Sequence, residues 1–195
     1  SHAEKVKAVA ISEDKRLAAS AGEDGEVVFW DLPGKKRLGA YKPPRPIGRE
    51  RLSALSFSTD GRTALVGTSN WAGINKTCLV EVASCRLLRA IEHPQKTYVD
   101  KVYFYPDNHH ALVRANGIEI FDLTTGRMGY SAEVQKPALA FAVLPVDARF
   151  LLHHPGEQET LLFDMLFEQQ IGRWPSNLRH YRFAVAGDRS LAVMG

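Results

Sequence analysis

The chain has 195 residues, of which 45% are apolar and 24% charged, a balance typical of a globular protein with enough apolar material for a core. No apolar run reaches the roughly 18 residues that a membrane-spanning helix needs, and no signal peptide is visible at the start. A formal net charge of +3 predicts no general attraction to nucleic acid. We therefore expect a soluble, cytoplasmic protein.

Short apolar runs, each followed by a turn that contains an aspartate, recur five times along the chain. The runs are Val6 to Ser12, Leu52 to Ser58, Val99 to Tyr105, Ala138 to Val143 and Tyr181 to Ala186. The aspartates that follow them lie 46, 47, 40 and 41 residues apart, and they are Asp14, Asp60, Asp107, Asp147 and Asp188. This interval suits a repeating unit of four β-strands.

A second series, in which an apolar strand ends at a carboxylate before a turn, shares the same repeat. Its members are Phe29 to Leu32, Leu79 to Val82, Ile120 to Leu123 and Leu162 to Met165. Two markers in one repeat predict a four-stranded antiparallel meander in each unit. The predicted units are 1–41, 51–91, 98–131, 138–173 and an incomplete 181–195. Because the carboxylates Asp31, Glu81, Asp122 and Asp164 recur once per unit, we interpret them as turn-forming residues and not as a catalytic pair.

Large and small residues alternate along the first strand of each unit, where apolar and polar residues would alternate in a half-exposed strand. Val9 and Ile11 share one face, whereas Ala8 and Ala10 share the other. The same large face recurs at Leu55/Phe57, Val102/Phe104, Phe141/Val143 and Phe183/Val185, although the third unit has Tyr103 and Tyr105 in place of small residues. We expect these strands to be buried on both faces, nearest the axis of an all-β propeller of about four and a half four-stranded blades.

The order of residues in the first unit resembles that of the WD-repeat family, with Trp30-Asp31 as the namesake dipeptide. The matching residues are His2, Val6, Val9, Ile11, Ser12, Asp14, Ser20, Asp24, Gly25, Trp30 and Asp31. The third unit repeats the pattern more loosely, with His93, Val99, Val102, Pro106-Asp107 and Phe121-Asp122. The resemblance covers essentially the whole chain, 1–195, as a partial propeller, and the second unit has neither the histidine nor the tryptophan.

The family resemblance carries two further expectations. It implies that His2, Ser20, Asp24 and Trp30 form a buried hydrogen-bond network with a structural role. It also implies a closed ring of seven or eight blades, so that missing blades or a second copy of the chain would complete the ring.

Two long connections are predicted to lie side by side on one face, because successive turns of a meander alternate between the two ends of its strands. They are residues 42–50 and 69–75. Together they bring five residues towards one rim, namely Lys42, Arg45, Arg49, Trp71 and Lys76. Arginines beside a tryptophan suit a protein or peptide partner, especially an acidic or phosphorylated one. The alternative is a solvated loop whose tryptophan packs on its own blade.

No catalytic motif accompanies this surface: the sequence has no nucleophile elbow, P-loop or dinucleotide fingerprint, and it implies no cofactor. His109-His110 and His153-His154 lie on or beside strands, where adjacent side chains point to opposite faces, so we expect no metal site. Cys78 and Cys85 are expected to be free thiols, as in a reducing compartment. The sequence thus predicts a non-enzymatic interaction scaffold; the alternatives are a propeller enzyme with a central-channel site and a nucleic-acid binder that uses the basic loops.

Overall fold

A computed structural model describes residues 2–43, 51–69, 74–93, 99–115, 117–132, 140–144, 149–154, 159–164, 169–175, 182–185 and 191–194. All regular secondary structure in these ranges is β-strand, so the ranges contain no helix that could cross a membrane. The chain divides into two compact units, residues 1–132 and residues 133–195.

The N-terminal unit contains three antiparallel sheets of four strands, and each sheet is a meander whose strands lie in sequence order. The first sheet consists of β1 (Val6–Ile11), β2 (Leu17–Gly22), β3 (Val27–Asp31) and β4 (Lys36–Tyr41). The second consists of β5 (Arg51–Phe57), β6 (Thr63–Ser69), β7 (Lys76–Glu81) and β8 (Arg86–Glu92). The third consists of β9 (Lys101–Phe104), β10 (His110–Arg114), β11 (Ile118–Asp122) and β12 (Met128–Ala132). The first strands contact one another from sheet to sheet, β1 with β5 and β5 with β9.

The C-terminal unit repeats the same meander once and begins it a second time. Its complete sheet consists of β13 (Ala140–Leu144), β14 (Arg149–His154), β15 (Glu159–Asp164) and β16 (Gln169–Pro175). A two-stranded sheet follows, with β17 (Arg182–Val185) and β18 (Leu191–Met194), and β17 contacts β13. The four and a half units predicted from the sequence are therefore four sheets of four strands and one of two.

The turns of the N-terminal unit repeat at the level of single backbone angles. The residue after each turn aspartate has a positive φ, at Lys15 (59°), Gly61 (68°) and Asn108 (58°). The fourth residue after each strand-ending carboxylate also has a positive φ, at Lys35 (50°), Cys85 (54°) and Gly126 (75°). An L-residue in this region costs about 1 kcal/mol, and glycine or asparagine less. Lys15, Lys35 and Cys85 therefore show that the turn geometry, and not the residue type, determines the backbone conformation at these positions.

A β-bulge recurs near the end of the third strand in all four complete sheets. The register shifts at Phe29/Trp30, Leu79/Val80, Ile120/Phe121 and Leu162/Phe163, directly before each strand-ending carboxylate. A bulge adds one residue to one strand and increases the local twist. In the second sheet the shift places Cys78 opposite Ala90, and both Cys78 and Cys85 are free.

Successive sheets of the N-terminal unit pack a face of large residues onto a face of small ones. Leu55 and Phe57 of β5 belong to the same apolar cluster as Ala19 and Ala21 of β2, and the rings of Phe29 and Phe57 meet edge to face at 6.2 Å. Val102 and Phe104 of β9 cluster in the same way with Ala54 of β5. A side chain at Gly67 would approach Val99 Cγ1 to 2.6 Å, so the third sheet packs directly against the backbone of the second.

The expected burial of the first strands on both faces is wrong for β1. Val9 is 72% exposed and Ile11 is 63% exposed, whereas Val102 and Phe104 at the corresponding positions are buried. The large faces of β5 and β9 pack on the sheet that precedes each of them in sequence. No described sheet of the N-terminal unit precedes β1, so its large face lies in solvent.

Two valines on neighbouring sheets provide a matched test of this packing. Val66→Ala removes two methyl groups from a site with no solvent exposure and should lower the free energy of unfolding by about 2 kcal/mol. Val9→Ala removes the same atoms from an exposed face and should cost about 0.5 kcal/mol or less. Urea denaturation followed by circular dichroism measures both, and equal losses would contradict the packing described here.

Candidate functional site

The two ends of the sheets in the N-terminal unit carry different connections. Gly61, in the β5–β6 turn, lies against Leu17 and Ser12 at the β1–β2 turn. Thr59 and Asn108 join the β5–β6 and β9–β10 turns through two hydrogen bonds of 2.8 and 2.7 Å. The first turns of the three sheets therefore lie together at one end. The described ends of the second and fourth strands, with residues 42–43 and 74–75, lie at the other end, which we call the loop face.

Of the five predicted partner-binding residues, two are described and both lie at the loop face. Lys42 follows β4, and its ammonium is 3.3 Å from Glu26 Oε1. Lys76 begins β7, and its ammonium is 2.9 Å from Glu92 Oε1. Arg45, Arg49 and Trp71 lie outside the described residues. The described part of the rim is therefore a set of partly exposed ion pairs, which are weak and can exchange partners.

A cavity of about 360 Å³ lies where the first strands of the three sheets meet. Three consecutive residues of β1, of β5 and of β9 line it, namely 7–9, 53–55 and 101–103. Because neighbouring residues of a strand point to opposite faces, three in a row can border a cavity only along the edge of the strand. We call this space the axial cavity.

The axial cavity is more polar than the sequence led us to expect from first strands rich in Ala, Val, Leu and Phe. Its lining includes Lys7, Ser53, Lys101 and Tyr103. Burial, and to a smaller degree the charge of Asp100, raise the pKa of the Tyr103 phenol above its ordinary value, so the phenol stays neutral. The signal in the sequence was a lysine near the start of two first strands. An alternation of large and small apolar residues does not reveal it.

The four residues of the predicted structural network are joined by hydrogen bonds. His2 Nε2 lies 2.8 Å from Ser20 Oγ, and His2 Nδ1 lies 3.1 Å from Asp24. Trp30 donates its indole N–H to Ser20 Oγ at 2.9 Å. A neutral imidazole with its proton on Nδ1 satisfies all of these bonds. A side chain at Gly22 would lie 2.6 Å from His2 Nδ1, so only glycine leaves room for the ring.

Asp24 anchors this network to the backbone. It accepts hydrogen bonds from the N–H groups of Ala3 and Glu26 at 2.9 and 3.1 Å. Burial alone would raise the pKa of this carboxyl, but these backbone bonds and the bond from His2 outweigh it and lower the pKa below its ordinary value. Asp24 is therefore ionised throughout the neutral range.

A second buried histidine has partners that the sequence did not reveal. His93 Nε2 lies 2.8 Å from Thr77 Oγ1, and His93 Nδ1 lies 3.0 Å from Glu119 Oε2. Its ring also meets the edge of Phe121 at 5.4 Å. Phe121 stands where the first sheet has Trp30 and cannot donate a hydrogen bond. The hydroxyl comes instead from β7 of the second sheet and the carboxylate from β11 of the third, so this network joins two sheets.

The strand-ending carboxylates form hydrogen bonds within the turns that follow them. Asp122 accepts hydrogen bonds from the N–H groups of Thr124 and Thr125 at 2.7 and 2.9 Å, which lower its pKa. Glu81 accepts a hydrogen bond from the Ser84 hydroxyl.

His110 of the first histidine pair is 2.6 Å from Asp107. No three His, Cys, Asp or Glu side chains are close enough to hold a metal ion within the part of the chain that the structure describes.

No protein-family model and no curated protein matches this sequence. The structure, however, is similar to the β-propeller domain of Cps50 (Swd1) from Myceliophteria thermophila, with a TM-score of 0.70 and 16% sequence identity. The fold is a β-propeller. The four-stranded antiparallel sheets are its blades, as the repeat predicted. The match covers 90% of this chain and 56% of that one, so the chain spans a little over half the length of the matched propeller.

The hydroxyl of Ser20 offers a direct test of the first network. Ser20→Ala would leave the Trp30 indole N–H and the His2 imidazole without their partner in a partly buried site, and should lower the free energy of unfolding by about 2 kcal/mol. Ser56→Ala is the matched control, because among the described residues that hydroxyl makes one long contact of 3.5 Å. Urea denaturation of both variants measures the difference, and a Ser20→Ala protein as stable as the control would show that the network contributes nothing.

Proposed function

We propose that the chain is part of a WD-repeat propeller and that it acts as a non-catalytic scaffold that binds a protein or peptide on its loop face. The observation that carries the proposal is the convergence of cationic side chains at this end. Lys42 and Lys76 lie on its rim, and the axial cavity between the first strands has Lys7 and Lys101 in its lining. The hydrogen-bond network of the first blade and the propeller fold support the family assignment.

The chemistry of the rim favours an acidic or phosphorylated segment of the partner. Each described rim lysine is paired with a glutamate of its own blade, Lys42 with Glu26 and Lys76 with Glu92. A partner carboxylate or phosphate can replace those glutamates at little cost, because exposed ion pairs contribute at most about 1 kcal/mol. We further propose that Arg45, Arg49 and Trp71, in the connections that continue from this rim, supply the anchor residues.

Substitutions in the two long connections test the proposed surface. A peptide library panned against the chain supplies a ligand, and fluorescence anisotropy then measures its affinity for each variant. Trp71→Ala should weaken binding most, by about 2 kcal/mol or roughly 30-fold, since truncating a central aromatic anchor typically has this effect. The double variant Arg45→Glu/Arg49→Glu should weaken binding in a salt-dependent way.

Lys36→Glu on β4 is the control for the charge reversals, because Lys36 is exposed on an outer strand away from the rim. Circular dichroism establishes that each variant is folded. If the folded Trp71→Ala and Arg45→Glu/Arg49→Glu proteins bind the ligand as the parent does, the loop face is not the binding surface. The turns of Asp14, Asp60 and Asp107 at the opposite end then become the better candidate.

We also propose that the exposed large face of β1 is covered in the assembled propeller. Val9 and Ile11 present the same face that Leu55 and Phe57 bury against the preceding blade, and the matched propeller is longer than this chain. The cover is either further blades outside this sequence or a second copy. Both would place the small-residue face of another blade on Val9 and Ile11.

The mass of the chain in solution tests whether the exposed face of β1 associates with other protein. We expect the isolated chain to self-associate in a concentration-dependent way, because Val9 and Ile11 lie exposed on one face of β1. The double variant Val9→Asp/Ile11→Asp should shift the chain to a monomer, as light scattering after size exclusion would show. A parent chain that is monodisperse and monomeric at high concentration would contradict the proposal.

A further inference from the structure

A groove of about 410 Å³ lies between the outer strands of the second and third blades. On one side it is lined by residues 89–92 of β8, and on the other by Glu119, Phe121, Thr125, Gly126 and Met128. We call this space the outer groove. Its lining comes from the fourth strand of one blade and the third and fourth strands of the next, so it is separate from the axial cavity between the first strands.

Two positions exchange large and small residues between the first and second junctions of the N-terminal unit. Gly39 and Arg89 hold corresponding positions on the outer strands, directly after the β-bulge. At the first junction, the Cys85 thiol occupies the space in which a side chain at Gly39 would lie. At the second, Gly126 takes the position of Cys85, and Arg89 reaches across to it. The outer groove therefore lies beside a long cationic side chain where the first junction has a thiol packed on glycine.

The Arg89 guanidinium is fixed on the wall of the outer groove. It donates to the carbonyl oxygens of Thr124 and Thr125, with Nη1 3.1 Å from Thr125 O. A side chain at Gly126, which also lines the groove, would lie 3.1 Å from Nη1. A guanidinium has five N–H donors, and these carbonyl oxygens carry no net charge. No carboxylate within the described ranges forms an ion pair with Arg89, so its positive charge is not neutralised.

The two carboxylates of the lining lie at the other end of the groove and have partners. Glu92 is 2.9 Å from the Lys76 ammonium, and Glu119 Oε2 is 3.0 Å from His93 Nδ1. Both carboxylates lie near the loop-face ends of their strands, whereas Arg89 reaches the β11–β12 turn at the opposite end. The end of the groove at Arg89 is therefore the one that suits an anionic group.

The groove also has an apolar surface and a strand edge. Met128 is 54% exposed and lies opposite Phe121 in the third sheet. β8 is the last strand of its sheet, and the His93 N–H just after it donates back to the carbonyl oxygen of the residue before β7. Since backbone groups alternate in direction along a strand, Ala90 and Glu92 direct theirs away from β7. A polar strand edge beside an apolar surface suits an extended polypeptide.

We propose that the outer groove binds an extended segment of a protein partner, with an acidic side chain on Arg89 and an aliphatic side chain, two residues away, on Met128 and Phe121. Side chains at positions i and i+2 of an extended segment point to the same side, about 7 Å apart. The backbone of the segment pairs with the edge of β8 as an added strand. This surface goes beyond the proposed function and does not depend on it.

The probe is the peptide fluorescein-Gly-Leu-Thr-Glu-Thr-Leu-Gly-amide, which has a leucine two residues from the glutamate in either direction. One control peptide has glutamine in place of the glutamate, and a second has serine in place of both leucines. Fluorescence anisotropy measures binding to the parent chain and to Arg89→Gln, Arg89→Lys and Met128→Glu. Leu38→Glu is the matched control, because Leu38 is exposed on the outer strand of the first blade as Met128 is on that of the third. Circular dichroism shows that each variant is folded.

We expect the probe to bind at least about fivefold more tightly than either control peptide. Arg89→Gln should weaken the glutamate peptide about fivefold and leave the glutamine peptide unchanged, because the lost contact joins the guanidinium to the carboxylate. A groove that merely collapsed would lose both peptides equally. Arg89→Lys keeps the charge and should weaken the probe only about twofold. Met128→Glu removes apolar surface and adds a like charge, so it should weaken the probe about tenfold, whereas Leu38→Glu should bind like the parent.

The proposal fails if the probe does not bind at about 1 mM, if the three peptides bind alike, if Met128→Glu binds like the parent, or if Arg89→Gln weakens the glutamate and glutamine peptides equally. Trp71→Ala separates this surface from the loop face. It should weaken the panned ligand and leave the probe unchanged. If Trp71→Ala weakens the probe as much as Met128→Glu does, the peptide binds at the loop face, and the outer groove is not its site.

Discussion

Neighbouring blades of the N-terminal unit are held together by side chains of unequal size on the two faces of each sheet. The large face of β5 meets alanines of the first blade, and the large face of β9 meets Ala54 and the bare backbone of Gly67. This alternation lets the inner strands approach closely while their outer strands diverge, as a radial arrangement requires. The exposure of Val9 and Ile11 follows from the same rule, because the first blade has a large face and no described neighbour to receive it.

Polar groups between the second and third blades are satisfied by residues that no repeat in the sequence marks. Ser53 donates to the carbonyl oxygens of Val99 and Gly67, near the axial cavity. Arg89, on the outer strand of the second blade, donates to the carbonyl oxygens of Thr124 and Thr125 in the third. Buried or bridging polar groups must find partners, but no rule fixes which residues provide them. Apolar packing therefore repeats faithfully from blade to blade, whereas the hydrogen bonds do not.

This difference explains how much of the structure could be predicted from the sequence. Strand number, sheet order and the turn positions were predictable, because large/small alternation and turn carboxylates depend on local geometry that every blade shares. The exposure of Val9 was not predictable, since it depends on what lies beyond the first blade. The partners of His93 were not predictable either, because Thr77 and Glu119 lie on different blades and follow no fixed spacing. Lys7 and Lys101 were overlooked because only the assembled strand edges bring them to one cavity.

The two histidine networks show why residue types alone do not establish chemistry. In each, an imidazole lies between a hydroxyl and a carboxylate, Ser20 and Asp24 around His2 and Thr77 and Glu119 around His93. The same order of groups activates nucleophiles in hydrolases, where a reacting carbonyl must reach the hydroxyl oxygen. The His93 side chain has no exposed surface, and Ser20 already accepts a hydrogen bond from Trp30. The Thr77 hydroxyl is buried, and the Ser20 hydroxyl is already bonded to both His2 and Trp30, so the geometry favours a role in holding strands together over proton transfer.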